Sequence, residues 1–258
     1  MGVVAASLED RLRATQIAEQ FDLPLLDASI RPRDLEVGRA VLQVIEGVLS
    51  VQLTGRAVPG PVTIDFSDKS MANRRRGGHN ELLGKAVGWK QARAPGILDA
   101  TGGYGRDAFL LADLGCEVTI CERDPIMALL FREALSRASA SEDQWLASVV
   151  ERMQLLSRDA IDLEATALKD VEVIYLDPMF PLDRRAAPAK EMQVLHQLLA
   201  FSGAQGDVED AALLAWARAQ DVRRVVVKRP RRAPVIPGAI PGHCLTGKSV
   251  RFDVYPVS

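Results

Sequence analysis

Hydrophobic and polar positions follow two different periods along the chain, and the period decides which element each segment predicts. Residues 8–21 carry apolar or small side chains at helical spacing, which predicts an amphipathic helix. The β-branched runs 41–45 and 48–53 flank Glu46-Gly47, which predicts two strands joined by a tight hairpin turn. Residues 62–66 follow a Pro-Gly-Pro break and are expected to form a further strand. We therefore expect a small α+β appendage over residues 1–68.

From residue 96 onward, short apolar runs alternate with helical patterns. The predicted strands are 97–99, 117–121, 154–157, 171–176, 224–227 and 250–255, and the predicted helices are 107–114, 126–137, 192–199 and 208–220. A further helix is predicted before this region, at 81–87. Strands that alternate with helices form a parallel sheet that is covered on both faces. The sequence therefore predicts an α/β domain over residues 69–258, with a Rossmann-like, mostly parallel doubly wound sheet and a basic entry segment at 69–95. Ligands of such a sheet bind at the carboxyl ends of its strands.

A glycine-rich loop, DATGGYGRD, begins at Asp99 and joins the first predicted strand of this sheet to its helix. Gly102, Gly103 and Gly105 let the backbone turn sharply and approach a ligand, and the helix N-terminus offers free N–H groups. Glu122 ends the next strand, where a carboxylate can accept the hydroxyls of an adenosine ribose. Asp99 would repel a diphosphate and attract a cation, so the loop favours S-adenosylmethionine over NAD. Singly, Asp99 could be a loop cap and Glu122 a solvated strand end; their combination favours the cofactor site.

The motif Asp177-Pro178-Met179-Phe180 follows the most hydrophobic predicted strand. It resembles the Asp/Asn-Pro-Pro-Tyr/Phe motif of methyltransferases that act on exocyclic amino groups, with Met179 in place of the second proline. Such an amine is a poor nucleophile because its lone pair is delocalised into the base. Asp177 and the Pro178 carbonyl could accept its N–H bonds while Phe180 stacks on the base. The alternative is a proline-terminated strand that packs one phenylalanine into the core.

Charge changes the picture only when it is followed along the chain. The 258 residues include 32 Lys and Arg against 34 Asp and Glu, a formal net charge of −2 that by itself argues against a nucleic-acid partner. Residues 61–90, however, carry six Lys and Arg against three Asp and Glu, and residues 218–258 carry nine against two. A basic run is often only a solvated face, but near a base-binding loop it favours phosphate contact. The predicted RNA-binding residues are Arg74, Arg75, Arg76, Lys228, Arg229, Arg231 and Arg232.

Cysteine usage and apolar runs argue against several other classes of protein. Cys116, Cys121 and Cys244 show no C-x-x-C spacing and the three histidines do not cluster, so we expect neither a disulfide framework nor a metal site. No apolar run approaches the roughly 18 residues of a membrane span. The N-terminus reaches Glu9 and Asp10 before an apolar signal segment develops. We expect a cytoplasmic protein with no membrane partner.

These motifs occur together in one known family. The segments 66–88, 99–109, 176–181, 190–192 and 224–230 resemble those of the ribosomal RNA small subunit methyltransferase J family, a likeness that runs from about residue 62 to the end. The resemblance implies methyl transfer from S-adenosylmethionine to the N2 amine of a guanosine in 16S rRNA, with S-adenosylhomocysteine as the other product. It implies 16S rRNA or the small ribosomal subunit as partner. It places the cofactor contacts at Arg106, Asp107, Glu122, Arg123, Asp159, Ala160 and Asp177.

Two other interpretations stay open at this point. The acceptor could be another amine, in tRNA or DNA, whereas the basic segments argue against a small molecule. The chain could also be a non-catalytic RNA-binding module of ribosome assembly that keeps a degenerate cofactor pocket. The presence of Asp99, Glu122 and Asp177 disfavours this second interpretation.

Overall fold

The computed structural model describes residues 1–56, 58–68, 71, 79–178, 193–194, 197–198 and 206–257. The chain divides into two units. The first comprises Met1–Ile64 with Leu182–Ala204, and the second comprises Asp65–Pro181 with Gln205–Ser258. Half of the predicted helix 192–199 lies outside the described residues.

The first unit is built on a three-stranded sheet and one helix. Strands β1 (Gly2–Ala5), β2 (Ala40–Ile45) and β3 (Val48–Leu53) lie in the order β1-β2-β3, with β1 parallel and β3 antiparallel to β2. Helix α1 (Leu8–Gln20) packs on β1 and β2. The predicted helix and hairpin are therefore confirmed.

Asp10 shows why the hairpin turn is tight. Its buried carboxylate accepts the backbone N–H groups of Gly47 at 2.8 Å and Glu46 at 3.2 Å, both of which have positive φ. The bond from Gly47 lowers the pKa of Asp10 below its ordinary value more than any other contact does, and a bond from the Ser7 hydroxyl has the next largest effect. The strand predicted at 62–66 is wrong, since Val62 makes only an isolated bridge to Val51.

The second unit contains a seven-stranded sheet in the order β6-β5-β4-β7-β8-β10-β9. Its strands are β4 (Ile97–Asp99), β5 (Val118–Cys121), β6 (Met153–Leu156), β7 (Val173–Leu176), β8 (Arg224–Pro230), β9 (His243–Thr246) and β10 (Val250–Pro256). Every neighbouring pair from β6 to β8 is parallel, whereas β10 runs antiparallel to β8 and β9. The strand order reverses between β4 and β7, which is the switch point of a doubly wound sheet. The predicted fold class is confirmed.

Five α-helices accompany this sheet within the described part of the second unit. They are α2 (His79–Val87), α3 (Arg106–Asp113), α4 (Pro125–Ser139), α5 (Gln144–Val150) and α6 (Gly206–Arg218). Helix α4 begins at Pro125, because the Asp124 carboxylate accepts the N–H groups of Ile126 and Met127 and proline suits the first helical position. None of the helices in the described ranges is both long and apolar enough to cross a membrane.

Alternation along the strands assigns the two faces of the sheet. Leu98 of β4, Ile174 and Leu176 of β7, and Val225 and Val227 of β8 belong to one core cluster, which also contains side chains of α6. The residues between or beyond them along the same strands point to the opposite face. On that face the Asp107 carboxylate of α3 meets Tyr175 of β7, and α2 contacts β8 and β10. Chemistry-bearing side chains at the carboxyl ends of β4, β7 and β8 are therefore brought together on the α3 side of the switch point.

Candidate functional site

The glycine-rich loop is fastened by backbone hydrogen bonds to the strands on either side of β4. The Ala100 N–H donates to the Tyr175 carbonyl of β7 at 3.0 Å, and the Gly102 N–H donates to the Cys121 carbonyl of β5 at 2.8 Å. A Cβ atom at Gly102 would lie 2.9 Å from that same Cys121 oxygen, so the close approach requires glycine. The loop thus closes the carboxyl end of β4 along a fixed path.

The end of the loop is fixed by aromatic packing. Gly105 caps α3 with a φ of 66°, and a Cβ atom there would lie 2.3 Å from the Phe131 ring. That ring meets Phe66 at 5.6 Å between centroids, and Phe66 in turn stacks on Phe109 at 5.2 Å. Because the ring fills the space beside Gly105, it fixes the position at which α3 begins.

Thr101 connects the Asp99 carboxylate to the backbone of Asp177. Its backbone N–H and its hydroxyl both donate to Asp99 Oδ1, at 3.0 and 3.1 Å, and the hydroxyl accepts the Asp177 N–H at 2.7 Å. Burial raises the pKa of Asp99 to about 7; the Thr101 N–H opposes this rise, and the charges of Asp107 and Asp177 add to it. Sequence reasoning missed Thr101, although a hydroxyl two residues after an aspartate is a recurring capping pattern.

Lys228 lies between two carboxylates of the site. Its Nζ donates to Asp107 Oδ2 at 2.6 Å and to Asp177 Oδ2 at 2.8 Å, and the Tyr175 hydroxyl also donates to Asp107 Oδ2, at 2.6 Å. Burial alone would lower the pKa of Lys228, but the charges of Asp177 and Asp107 outweigh burial and raise it above its ordinary value. The side chain is therefore a charged member of the site, which does not fit its predicted contact with RNA phosphate. Tyr175 was not predicted either.

Glu122 occupies the position predicted for a ribose acceptor. Its Oε2 accepts the Gly103 N–H at 2.7 Å and its Oε1 accepts the Asp124 N–H at 2.8 Å. The residue is 7% exposed, and burial raises its pKa to about 7 although both backbone N–H bonds oppose the shift. Each carboxylate oxygen can accept a second hydrogen bond, so each can also accept a bond from a ribose hydroxyl.

The remaining predicted cofactor contacts follow β4, β5 and β6 along the chain. Arg123 pairs with Asp159 at 3.5 Å and with Glu209 of α6 at 2.6 Å. The Asp159 carboxylate caps the short 3₁₀ turn that contains the buried Ala160. The Arg106 guanidinium carbon lies 5.6 Å from the centroid of the Tyr104 ring.

The structure separates the predicted RNA-binding residues of β8 and the turn after it. The Arg229 guanidinium is engaged within the protein: the residue is 3% exposed, donates to the Pro234 carbonyl at 3.1 Å and lies 3.5 Å from Asp210. This burial does not fit the predicted phosphate contact of Arg229. Arg231 and Arg232 are exposed. The other predicted residues, Arg74, Arg75, Arg76 and the stacking Phe180, lie outside the described residues.

The donor set fits S-adenosylmethionine. Asp99 and Asp177 offer carboxylates to its positive groups, and Glu122 lies one strand away, where the hydroxyls of an adenosine are expected. Among the side chains that the structure describes, no group of three or more His, Cys, Asp or Glu residues is arranged to hold a metal ion.

Comparisons with known proteins agree with this geometry. A family model described as "Putative SAM-dependent methyltransferase" matches residues 31–257. Ribosomal RNA small subunit methyltransferase J of Stutzerimonas stutzeri is 45% identical over 87% of this chain and 86% of its own, and that of Pseudomonas paraeruginosa is 43% identical over 98% and 94%. A crystal structure of a SAM-dependent methyltransferase from Neisseria gonorrhoeae, 30% identical, matches 100% of this chain and 96% of its own with a TM-score of 0.73. The chain belongs to the ribosomal RNA small subunit methyltransferase J family and is an S-adenosylmethionine-dependent methyltransferase.

Proposed function

We propose that this enzyme methylates the exocyclic N2 amine of a guanosine in 16S ribosomal RNA. One observation carries the proposal: the Asp177-Pro178 pair stands at the carboxyl end of β7, joined through Thr101 to the cofactor carboxylate Asp99. The names of the relatives, which are small-subunit ribosomal RNA methyltransferases, support the class of substrate.

Asp177 is fixed and yet accessible, which suits an acceptor of amine N–H bonds. Its backbone N–H is held by Thr101, one carboxylate oxygen is held by Lys228, and the side chain is 42% exposed. Together with the Pro178 carbonyl it can accept both N–H bonds of a planar amine and so fix the direction of the nitrogen lone pair. S-adenosylmethionine supplies, when bound, a methyl group activated by its sulfonium charge. The proton can leave the amine after transfer, so no strong base is required.

Arg231 and Arg232 are the described residues best placed to bind the RNA backbone. They follow β8 directly, and because β8 is parallel to β7 they lie at the same edge of the sheet as Asp177. Phosphate contacts at this edge would orient the strand without reading its sequence. A guanosine that reaches Asp177 must be unpaired and turned out of its stack.

The proposal is tested with purified protein, labelled S-adenosylmethionine and small subunits from cells that lack the gene. We expect one methylated guanosine in 16S rRNA, located by mass spectrometry. Asp177→Ala should lower kcat by about 100-fold or more while S-adenosylmethionine binds within about tenfold of wild type. Asp170→Ala makes the same change at an exposed residue before the opposite end of β7 and is the matched control.

Two results would contradict the proposal. Methylation of tRNA or DNA with no label in 16S rRNA would assign another acceptor. Near-normal turnover by Asp177→Ala would remove Asp177 from the reaction.

A further inference from the structure

Strand register brings Lys228 beside Asp177. In the parallel pair β7 and β8, Tyr175 lies opposite Val226 and Leu176 opposite Val227, so the next residues along are Asp177 and Lys228. Alternation turns Lys228 to the α3 face, which Tyr175 and Asp107 share, and turns Arg229 to the α6 face. The juxtaposition of Lys228 and Asp177 is therefore a property of the sheet.

The contacts of Lys228 form a chain from the interior to the surface. At the inner end, Asp107 has a 6% exposed side chain in the first turn of α3 and also accepts the Tyr175 hydroxyl. Lys228 itself has a 17% exposed side chain, and Asp177 at the outer end is 42% exposed. The buried end is thus anchored to a helix and a strand, and the open end is the carboxylate that faces the substrate side.

We propose that Lys228 is a positioning residue for methyl transfer, whose ammonium orients the Asp177 carboxylate for the acceptor amine. This inference rests on the proposed role of Asp177. A charge-assisted hydrogen bond of 2.8 Å restricts the carboxylate more than a neutral bond would. Asp177 then receives the amine without first having to reorganise, which is the condition under which a preorganised group accelerates a reaction.

The same contacts oppose a phosphate-binding role for Lys228. An ammonium that turned toward RNA would leave the Asp107 carboxylate buried beside the Asp99 carboxyl, without this cation. Arg231 and Arg232 supply exposed cations at the same sheet edge with no such cost.

The test measures three variants of Lys228 in the full-length enzyme. Lys228→Met should lower kcat by about 100-fold, the penalty expected for a misplaced reacting group, with KM for RNA within about threefold of wild type. Binding of S-adenosylmethionine, measured by calorimetry, should not weaken, because the change removes a cation beside a positively charged ligand. Lys228→Gln should also lower kcat to the level of Lys228→Met. Glutamine can donate a hydrogen bond to Asp177, but it lacks the positive charge that the proposal requires. Lys228→Arg should recover at least about tenfold of the lost kcat.

Lys169→Met is the matched control, because Lys169 is exposed and precedes the opposite end of β7. Unchanged kcat in Lys228→Gln, or a loss of RNA affinity and of salt dependence at constant kcat, overturns the inference. So does a failure of Lys228→Met and Lys228→Gln alike to fold, which would make Lys228 structural. If the wild-type enzyme methylates a nucleic acid other than 16S rRNA, the proposed substrate is wrong. The kcat values of the Lys228 variants relative to wild type, measured on that other nucleic acid, still test the role of Lys228.

Discussion

The glycine-rich loop after β4 and the basic run at the end of β8 lie at the same edge of one sheet, but different interactions position their residues. Backbone bonds and glycine geometry fix the loop, so its residues stand where the sequence predicts. In the basic run, Lys228 enters the site, Arg229 is buried on the other face, and Arg231 and Arg232 are exposed. Local sequence therefore predicts the backbone path of the loop well. The face on which a charged side chain lies, and the group that it contacts there, depend on strand alternation and on the neighbouring residues.

The largest expected effect tests whether aromatic packing fixes the loop. Gly105→Ala combines a positive φ with a clash against Phe131 and should lower the free energy of unfolding by about 3 kcal/mol. Gly115→Ala has a φ of 92° but meets no atom within 4 Å, so it should cost only about 1 kcal/mol. Denaturant unfolding measures both values. Equal losses would show that the Phe131 ring yields and that the loop is held by its backbone alone.

The next effect tests the exposed part of the basic run. Reversing charge in the double variant Arg231→Glu, Arg232→Glu should weaken RNA binding by about 30-fold at low salt and flatten the salt dependence of the binding constant. The reason is that two phosphate contacts, with their released counterions, are lost. Filter binding over a salt series measures the slope. The double variant Lys169→Glu, Arg223→Glu makes the same charge change at exposed residues before β7 and β8, at the opposite edge of the sheet. An equal effect there would show that the protein attracts RNA through its overall charge and not through Arg231 and Arg232.

The smallest effect tests the charge inside the loop. The folded pKa of Asp99 is raised from 3.8 to about 7, so the unfolded chain loses this proton first and stability falls as pH rises through that window. Asp99→Asn removes the titration, so its stability relative to wild type should rise by about 1 kcal/mol between pH 6 and pH 8. Unfolding curves at both pH values measure the difference. A constant difference would mean that Asp99 does not titrate in this range.

Elements with a strong apolar period were predicted from sequence, and elements without one were not. Helix α4 has a cap, a first-turn proline and an apolar face, and the prediction differs from its observed bounds only at the ends. Strand β9 was missed because three of its four side chains are exposed, which leaves no alternation to detect. Strand β1 has only four residues, too few for a period to emerge. Residues 62–66 have the composition of a strand, but only Val62 pairs with another residue, because strand formation also requires a neighbouring segment to pair with.

Some residues of the candidate site could likewise be predicted from the sequence, and others could not. Asp99, Glu122 and Asp177 could be named from sequence because each ends a predicted strand, and parallel strands place their carboxyl ends at one edge. Tyr175 could not, because its role comes from a bond to Asp107 on another element. The Thr101 bond to Asp99 follows a local capping pattern, but its bond to Asp177 joins residues far apart in the chain.

By itself the sequence determined the family, the parallel sheet and the position of the glycine-rich loop, since these depend on local period, glycine and motif. Only the tertiary structure decided that Lys228 contacts Asp177 and that Arg229 is buried. The physical reason is that one residue of strand register turns a side chain to the opposite face, and the sign of its charge does not reveal which carboxylate it meets there.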